Sequence, residues 1–114
     1  MARRQTTRPS RLRVGRSPIH GRGVFARRRL RRGDWLGRFE GRSTSRNGEH
    51  VLWWRDADDV LRGLEVTNAL RFLNHSADPN AEIEGLDLIA TRNIQPGAEV
   101  TIHYGDDWDD VGGD

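Results

Sequence analysis

The sequence has no cysteine and no lysine, and it carries one tyrosine, one methionine and four prolines in 114 residues. Without cysteine there is no disulfide framework, no thiolate zinc site and no cysteine nucleophile. Without lysine no side chain offers a primary amine, and all 19 basic residues are arginine. Long apolar runs are missing too. The opening MARRQTTRPS has no apolar h-region and no stretch approaches membrane-spanning length, so a soluble chain with no signal peptide and no membrane partner is expected. The four histidines are dispersed, without the spacing of a ligand set, so no metal is expected.

Charge is abundant and segregated. Fifteen arginines lie within residues 1–46 against two acids, Asp34 and Glu40; from residue 47 onward four arginines meet fifteen acids. Codon bias in a GC-rich genome accounts for arginine in place of lysine, but not for this segregation along the chain. The apolar fraction, 34%, is low and suffices for one domain with a modest core if part of the chain stays outside it.

Residues 1–10 read as a disordered basic arm, polar and without periodicity. RLRVGRS (11–17) alternates as a short strand, and PIHGRGVFA is a glycine-punctuated turn feeding the apolar Val24-Phe25-Ala26. RRRLRRGD is a basic connection ending in a turn at Gly33-Asp34, and WLGRFEG is a strand. RNGEH (46–50) carries the Asn-Gly hairpin signal, leading into VLWW and then, past the acidic RDADD turn, VLRGLEV. TNALRFLNH has room for one helical turn. AEIEG and DLIATRN flank a Gly85 turn as a hairpin. EVTIHY alternates, with Val100, Ile102 and Tyr104 on one face and Thr101 and His103 on the other. The fold class is mostly β, built of short strands and Gly/Pro turns with little helix.

Three blocks stand in order: IHGRGVFA, NALRFLNHSADPN and IQPGAEVTIHYG. A bare G-x-G means little, but RFLNHSxxPN followed by PGxEVTxxYG at this distance is specific. Together the blocks resemble the signatures of the SET-domain protein lysine methyltransferases, from about Arg11 to Trp108, and most resemble the minimal SET proteins of bacteria and viruses. The resemblance implies several short β-sheets with a threaded C-terminal segment, arranged as a basic arm (1–10), a SET domain (11–108) and an acidic tail (109–114). It implies S-adenosyl-L-methionine as cofactor and methyl transfer to lysine on a basic protein or histone-like tail. A cytoplasmic location of bacterial type follows as an expectation, extending to the nucleoid, and a homodimer that completes a groove is compatible with it. Three positions depart from the usual pattern: Ala77 where a cysteine often follows NHS, His103 where an acid precedes the last tyrosine, and Phe39 where a tyrosine is common. The zinc-binding tail of many members is absent.

Gly21 and Gly23 permit positive φ and close backbone approach, suited to wrapping a zwitterion, although a plain turn has the same composition. Asn74 combines donor and acceptor on one short side chain. By resemblance, Arg22 pairs with the cofactor carboxylate, Asn74 and His75 contact the methionine amino group and the adenine edge, and Arg71 and Ser76 brace or border that element. Tyr104 matches the catalytic tyrosine, whose hydroxyl sits beside the transferring methyl and the acceptor amine. An unperturbed phenol has a pKa of about 10 and stays protonated at neutral pH, which argues against a simple general base. A locally satisfied imidazole for His75, and core-edge packing for Tyr104, stay open from the residues alone. Ile102 stands where side-chain size influences methyl number in related enzymes. Trp108 would cover the adenine, and Asp106 and Asp107, with Asp109 and Asp110, would attract a basic tail. Glu99 and Thr101 read as structural. Trp53 and Trp54 point to opposite faces of a strand, one of them toward a groove or partner.

Two further readings compete. One is a basic module with a SET-like fold that contacts DNA phosphates through the arginine-rich N-terminal half. The other is a SET domain that binds the cofactor without turnover, against which the intact Tyr104 and NHS argue.

Overall fold

A computed structural model describes residues 11–48, 50–105 and the backbone of 108–109; the basic arm, Asp106, Asp107 and the tail past Asp109 lie outside the described residues. The described chain forms short strands and one 3₁₀ turn. β1 (Leu12–Arg16) and β2 (Arg22–Ala26) are an antiparallel hairpin. β10 (Glu99–Ile102) adds antiparallel to β2, and β7 (Asn74–His75) adds parallel to β10, giving the order β1-β2-β10-β7. The central position of β2 explains its sequence: Gly23, Val24, Phe25 and Ala26 are all buried, as a strand covered on both faces requires.

The second sheet is β11-β5-β6-β4, from β4 (Gly41–Thr44), β5 (Val51–Arg55), β6 (Leu61–Val66) and β11 (Trp108–Asp109). The third is β3-β9-β8, from β3 (Trp35–Arg38), β8 (Ala81–Glu84) and β9 (Asp87–Ala90). β8 and β9 pair around Gly85 as the sequence indicates. The 3₁₀ turn, Ala69–Phe72, is the helical turn expected in TNALRFLNH.

One sequence expectation is corrected. Asn47-Gly48 does not make a hairpin. β4 and β5 each pair antiparallel with β6, on its two sides, so they run in the same direction and a two-residue reversal between them is geometrically excluded. The true hairpin is β5–β6, closed where the Asp56 carboxylate accepts the backbone N–H groups of Asp58 (2.9 Å) and Val60 (3.0 Å). Thr101 of β10 is 5% exposed, in keeping with its structural reading, because β2 and β7 flank this strand inside the sheet.

The core gathers Leu30, Phe39, Leu52, Leu73, Leu88, Ile94, Val100 and Ile102. It draws on all three sheets, so the strands that carry the signature blocks are fixed to one body.

Candidate functional site

β2 and β10 bring the first and third blocks side by side, and β7 brings the second against β10. At their junction stands the Glu99 carboxylate. It accepts hydrogen bonds from Ser17 Oγ (2.8 and 2.9 Å to its two oxygens) and from Asn74 Nδ2 (2.8 Å). Asn74 Nδ2 also lies 3.1 Å from the His20 and Arg22 carbonyls. Ser17 Oγ accepts the Ile19 amide (2.9 Å), and its own amide donates to the Gly21 carbonyl (2.8 Å). The loop from Ser17 to Arg22 is therefore held by two side chains reaching it from distant segments. Charge-assisted bonds of this kind are stronger than neutral ones.

The two motif glycines do different work. Gly21 has φ +43°, a conformation that favours glycine. Gly23 has no positive φ and serves the other expected purpose, close approach. A Cβ there would run into the Glu99 carboxylate and lie 3.0 Å from Ser17 Cβ, so close approach alone demands glycine. Beside the loop opens a cavity of about 820 Å³, lined by Val14, Gly15, Arg16, Ser17, Gly21 and Arg22. That is within the size range of small-molecule sites.

Arg22 is exposed, with its guanidinium 5.6 Å from the Phe72 ring centroid; the Arg71 guanidinium lies 4.2 Å from the same ring. Their roles differ. Arg71 donates to the Thr67 (2.7 Å) and Asn68 (3.0 Å) carbonyls and staples the 3₁₀ turn, the bracing part the sequence suggests for it. Arg22 stands at the loop's mouth.

Tyr104 is half-buried against the core. Its hydroxyl donates to the Leu73 carbonyl (2.9 Å), one residue before Asn74, and its amide donates to His75 Nδ1 (3.0 Å). A backbone N–H can only donate, so Nδ1 is the acceptor and the imidazole proton is on Nε2. The His75 ring meets Tyr104 edge-on at 5.2 Å and His103 at 4.6 Å. His75 itself is exposed. Ser76 donates its amide to the Ile102 carbonyl (2.9 Å), extending the β7–β10 ladder.

Ile102 is 1% exposed and belongs to the core cluster, which corrects its assignment as a substrate-facing residue: the same packing that buries Thr101 encloses it. Trp53 and Trp54 are consecutive in β5, and both border a cavity of about 760 Å³ with Leu52, Leu61 and Ile83. The six-membered ring of Trp53 lies over Gly63, its partner across β5 and β6. The side chains of Trp108, Asp106 and Asp107 lie outside the described residues, and the backbone at Trp108 pairs with Leu52.

Two residues at the junction escaped the sequence reading. Ser17 was passed over, although a serine before Pro18 and a Gly-rich turn is a local capping signal. The other is Asn80, whose side chain donates to the Glu99 carbonyl (2.9 Å) and accepts the Thr101 amide (2.9 Å), acting as one more backbone rung along β10.

The model of the SET domain family matches residues 21–105. Human histone-lysine N-methyltransferase 2B is 31% identical over 112 residues, covering 80% of this chain and 4% of its own length. The chain therefore spans a small part of that curated relative. Among solved structures, the methyltransferase domain of human PR domain-containing protein 2 superposes with a TM-score of 0.70 at 18% identity, covering 85% of this chain and 78% of that one. The ctPRC2 complex in an autoinhibited conformation bound to S-adenosylmethionine gives a TM-score of 0.74 at 17% identity, covering 91% of this chain and 16% of that one. These two likenesses establish the fold.

Proposed function

The chain belongs to the SET-domain family, and from that premise we propose that it is an S-adenosylmethionine-dependent N-methyltransferase acting on lysine in a basic protein. The observation that carries this reading is convergence. Gly21, Arg22 and Gly23, Asn74 with His75, and Tyr104 come from three separated blocks and are tied to one another through Glu99, Leu73 and His75.

The residues present suit the cofactor. A zwitterionic amino-acid end asks for a cation, unobstructed backbone and a polar amide nearby. Arg22 is exposed at the mouth of a loop where Gly21 leaves open space beside the backbone, and Asn74 underlies that loop. Arg22 would pair with the carboxylate, while Gly21 to Gly23 would line the amino-acid end. The bound cofactor supplies a methyl group made electrophilic by its sulfonium. The Tyr104 hydroxyl donates to the Leu73 carbonyl, which fixes where its oxygen stands relative to a C–H donor or an amine that would meet it by weak contacts. Fixing Tyr104 at both its amide and its hydroxyl preorganises that oxygen, the kind of positioning on which a direct displacement depends.

The test is to incubate the protein with labelled S-adenosylmethionine and a panel of basic proteins and to locate the label by mass spectrometry. Label on lysine supports the reading. Replacing the acceptor's lysines by arginine should abolish transfer, and label that persists would refute lysine as acceptor. No self-labelling on side-chain amines is expected, since the chain has no lysine. Transfer should rise between pH 7 and 9, because a lysine amine with pKa near 10.4 is about one part in a few thousand neutral at pH 7.

A further inference from the structure

The connection from β2 to β3 holds Arg27, Arg28, Arg29, Arg31 and Arg32, all exposed, around Leu30, which is 0% exposed. Its backbone is pinned along its length. The Arg27 amide donates to the Arg11 carbonyl (2.8 Å), and Leu30 and Ile94 exchange both amide-to-carbonyl bonds (2.9 Å each). The Arg31 amide donates to Asp34 Oδ2 (2.8 Å), the Arg32 amide to Asn93 Oδ1 (3.0 Å), and the Gly33 amide to the Ala90 carbonyl (2.8 Å). The loop cannot spread to relieve its charge.

Among the described residues the acidic half offers no relief either. Each arginine from residue 55 onward is held by a protein oxygen: Arg55 by Asp59, Arg62 by Asp56, Arg71 by two carbonyls and Arg92 by Asp78. Among the described residues no carboxylate comes within ion-pair distance of the five loop guanidiniums; the nearest acid in sequence, Asp34, faces Arg11 and the Arg31 amide.

We propose that this pinned five-arginine loop is a docking surface for the phosphate backbone of duplex DNA. Single strands are bound through exposed aromatic rings on which bases stack, and protein interfaces through an apolar centre. The loop presents neither, because its one apolar side chain is buried. The nearest exposed aromatic, Trp35, is on β3 and tethered through Nε1 to Asp87 (3.0 Å). Antiparallel pairing of Leu12 with Ala26 and Arg16 with Arg22 places the loop and the Gly21–Gly23 segment at opposite ends of the β1–β2 hairpin. Duplex could be held at one end while the other stays open. The proposal does not rest on methyl transfer: a chain inactive on lysine would still bind.

The test uses the full chain and fluorescence anisotropy with a labelled 30-base-pair duplex across a salt series. Replacing all five loop arginines by glutamine should weaken binding more than tenfold and flatten the slope of log K against log salt by about 4 to 5, at ~0.9 per phosphate contact. Circular dichroism and cofactor binding check that the variant folds. If it does not fold, Arg28→Gln with Arg29→Gln carries the test, with a flattening of about 2. The matched pair Arg42→Gln with Arg46→Gln should change the slope little. Unchanged affinity and slope in the loop variants would overturn the proposal, as would equal losses in the matched pair. Tighter binding of single strand or of polyglutamate than of duplex would overturn the choice of partner.

Discussion

At the Arg22 end of β2 the Glu99 carboxylate accepts three hydrogen bonds, and each donor is a side chain that also holds the Ser17–Arg22 loop. At the Ala26 end five exposed arginines stand on a loop anchored through the backbone of Arg27, Leu30, Arg31, Arg32 and Gly33. One strand thus joins a region whose polar groups are satisfied from within to a region whose charges face outward. Internal satisfaction makes a rigid site that tolerates little change. Outward charge makes a surface whose substitution should spare the fold. Variants at the two ends should therefore separate stability and catalysis from polyanion binding.

The largest effect is expected at Tyr104. Tyr104→Phe keeps the ring contacts with His75 and removes only the hydroxyl on Leu73. Methyl transfer should fall on the order of 10²-fold, comparable to losing one preorganised polar group in an active site. Cofactor affinity should stay nearly constant in calorimetry, and stability should drop by about 1 kcal/mol. Turnover at the wild-type rate would reduce Tyr104 to a packing residue.

Next in size is Asn74→Ala. Asn74 is 5% exposed, and its amide underlies both the Glu99 carboxylate and the loop carbonyls. Removing it leaves those acceptors short of a donor, at a cost of about 1–3 kcal/mol. Denaturant unfolding should register this loss in the free protein, and cofactor affinity should fall with it. Weakened binding at unchanged stability would mean that Asn74 acts on the ligand directly and not through the loop. Gly23→Ala attacks the same junction from the other side, by pushing a methyl into the Glu99 carboxylate. Overpacking of this kind costs about 1–3 kcal/mol, and a fall in melting temperature without a change in the DNA salt slope would keep the two ends of β2 independent.

Residue patterns made local features legible, and the resemblance carried by the three separated blocks made the family and the fold class legible. The β8–β9 turn at Gly85, the helical turn before Asn74, the exposed Arg22 and the central apolar run of β2 all follow from residues within a few positions of one another. The junction was not legible, because Ser17 and Glu99 are 82 residues apart, and Asn74 and Glu99 are 25 apart. No periodicity encodes such a meeting. The same reason defeated the Asn47-Gly48 signal: the turn residues favour a hairpin locally, but β6 occupies the place that β4 or β5 would need. Ile102 was misassigned because its block points to a site, whereas burial decides which members of a block reach it.

The smallest effect tests whether exposed like charges cost the fold much, the premise on which the outward-facing end depends. Glu82 and Glu84, two apart on β8, are both exposed. Hydrogen bonding to the Glu84 carboxyl, then partial desolvation, then repulsion from its charge raise the Glu82 pKa above the ordinary carboxylate value. A raised folded-state pKa means that the fold holds the Glu82 proton more tightly than the unfolded chain does. The associated stability is fully present below the unfolded value and is lost as pH rises through the folded one. At neutral pH the pair is therefore a small liability. Glu84→Gln removes the neighbouring charge, so the variant should be slightly more stable than the parent at pH 7, within about 0.5 kcal/mol, as screening dictates for surface groups. The difference should close as both proteins are brought below about pH 4, where the carboxyls are protonated in each state. Thermal melts across that range measure it. A large stabilisation at pH 7 would mean that exposed like charges weigh heavily on this fold, and five crowded arginines would then demand a structural explanation. A small one leaves them free to serve a partner.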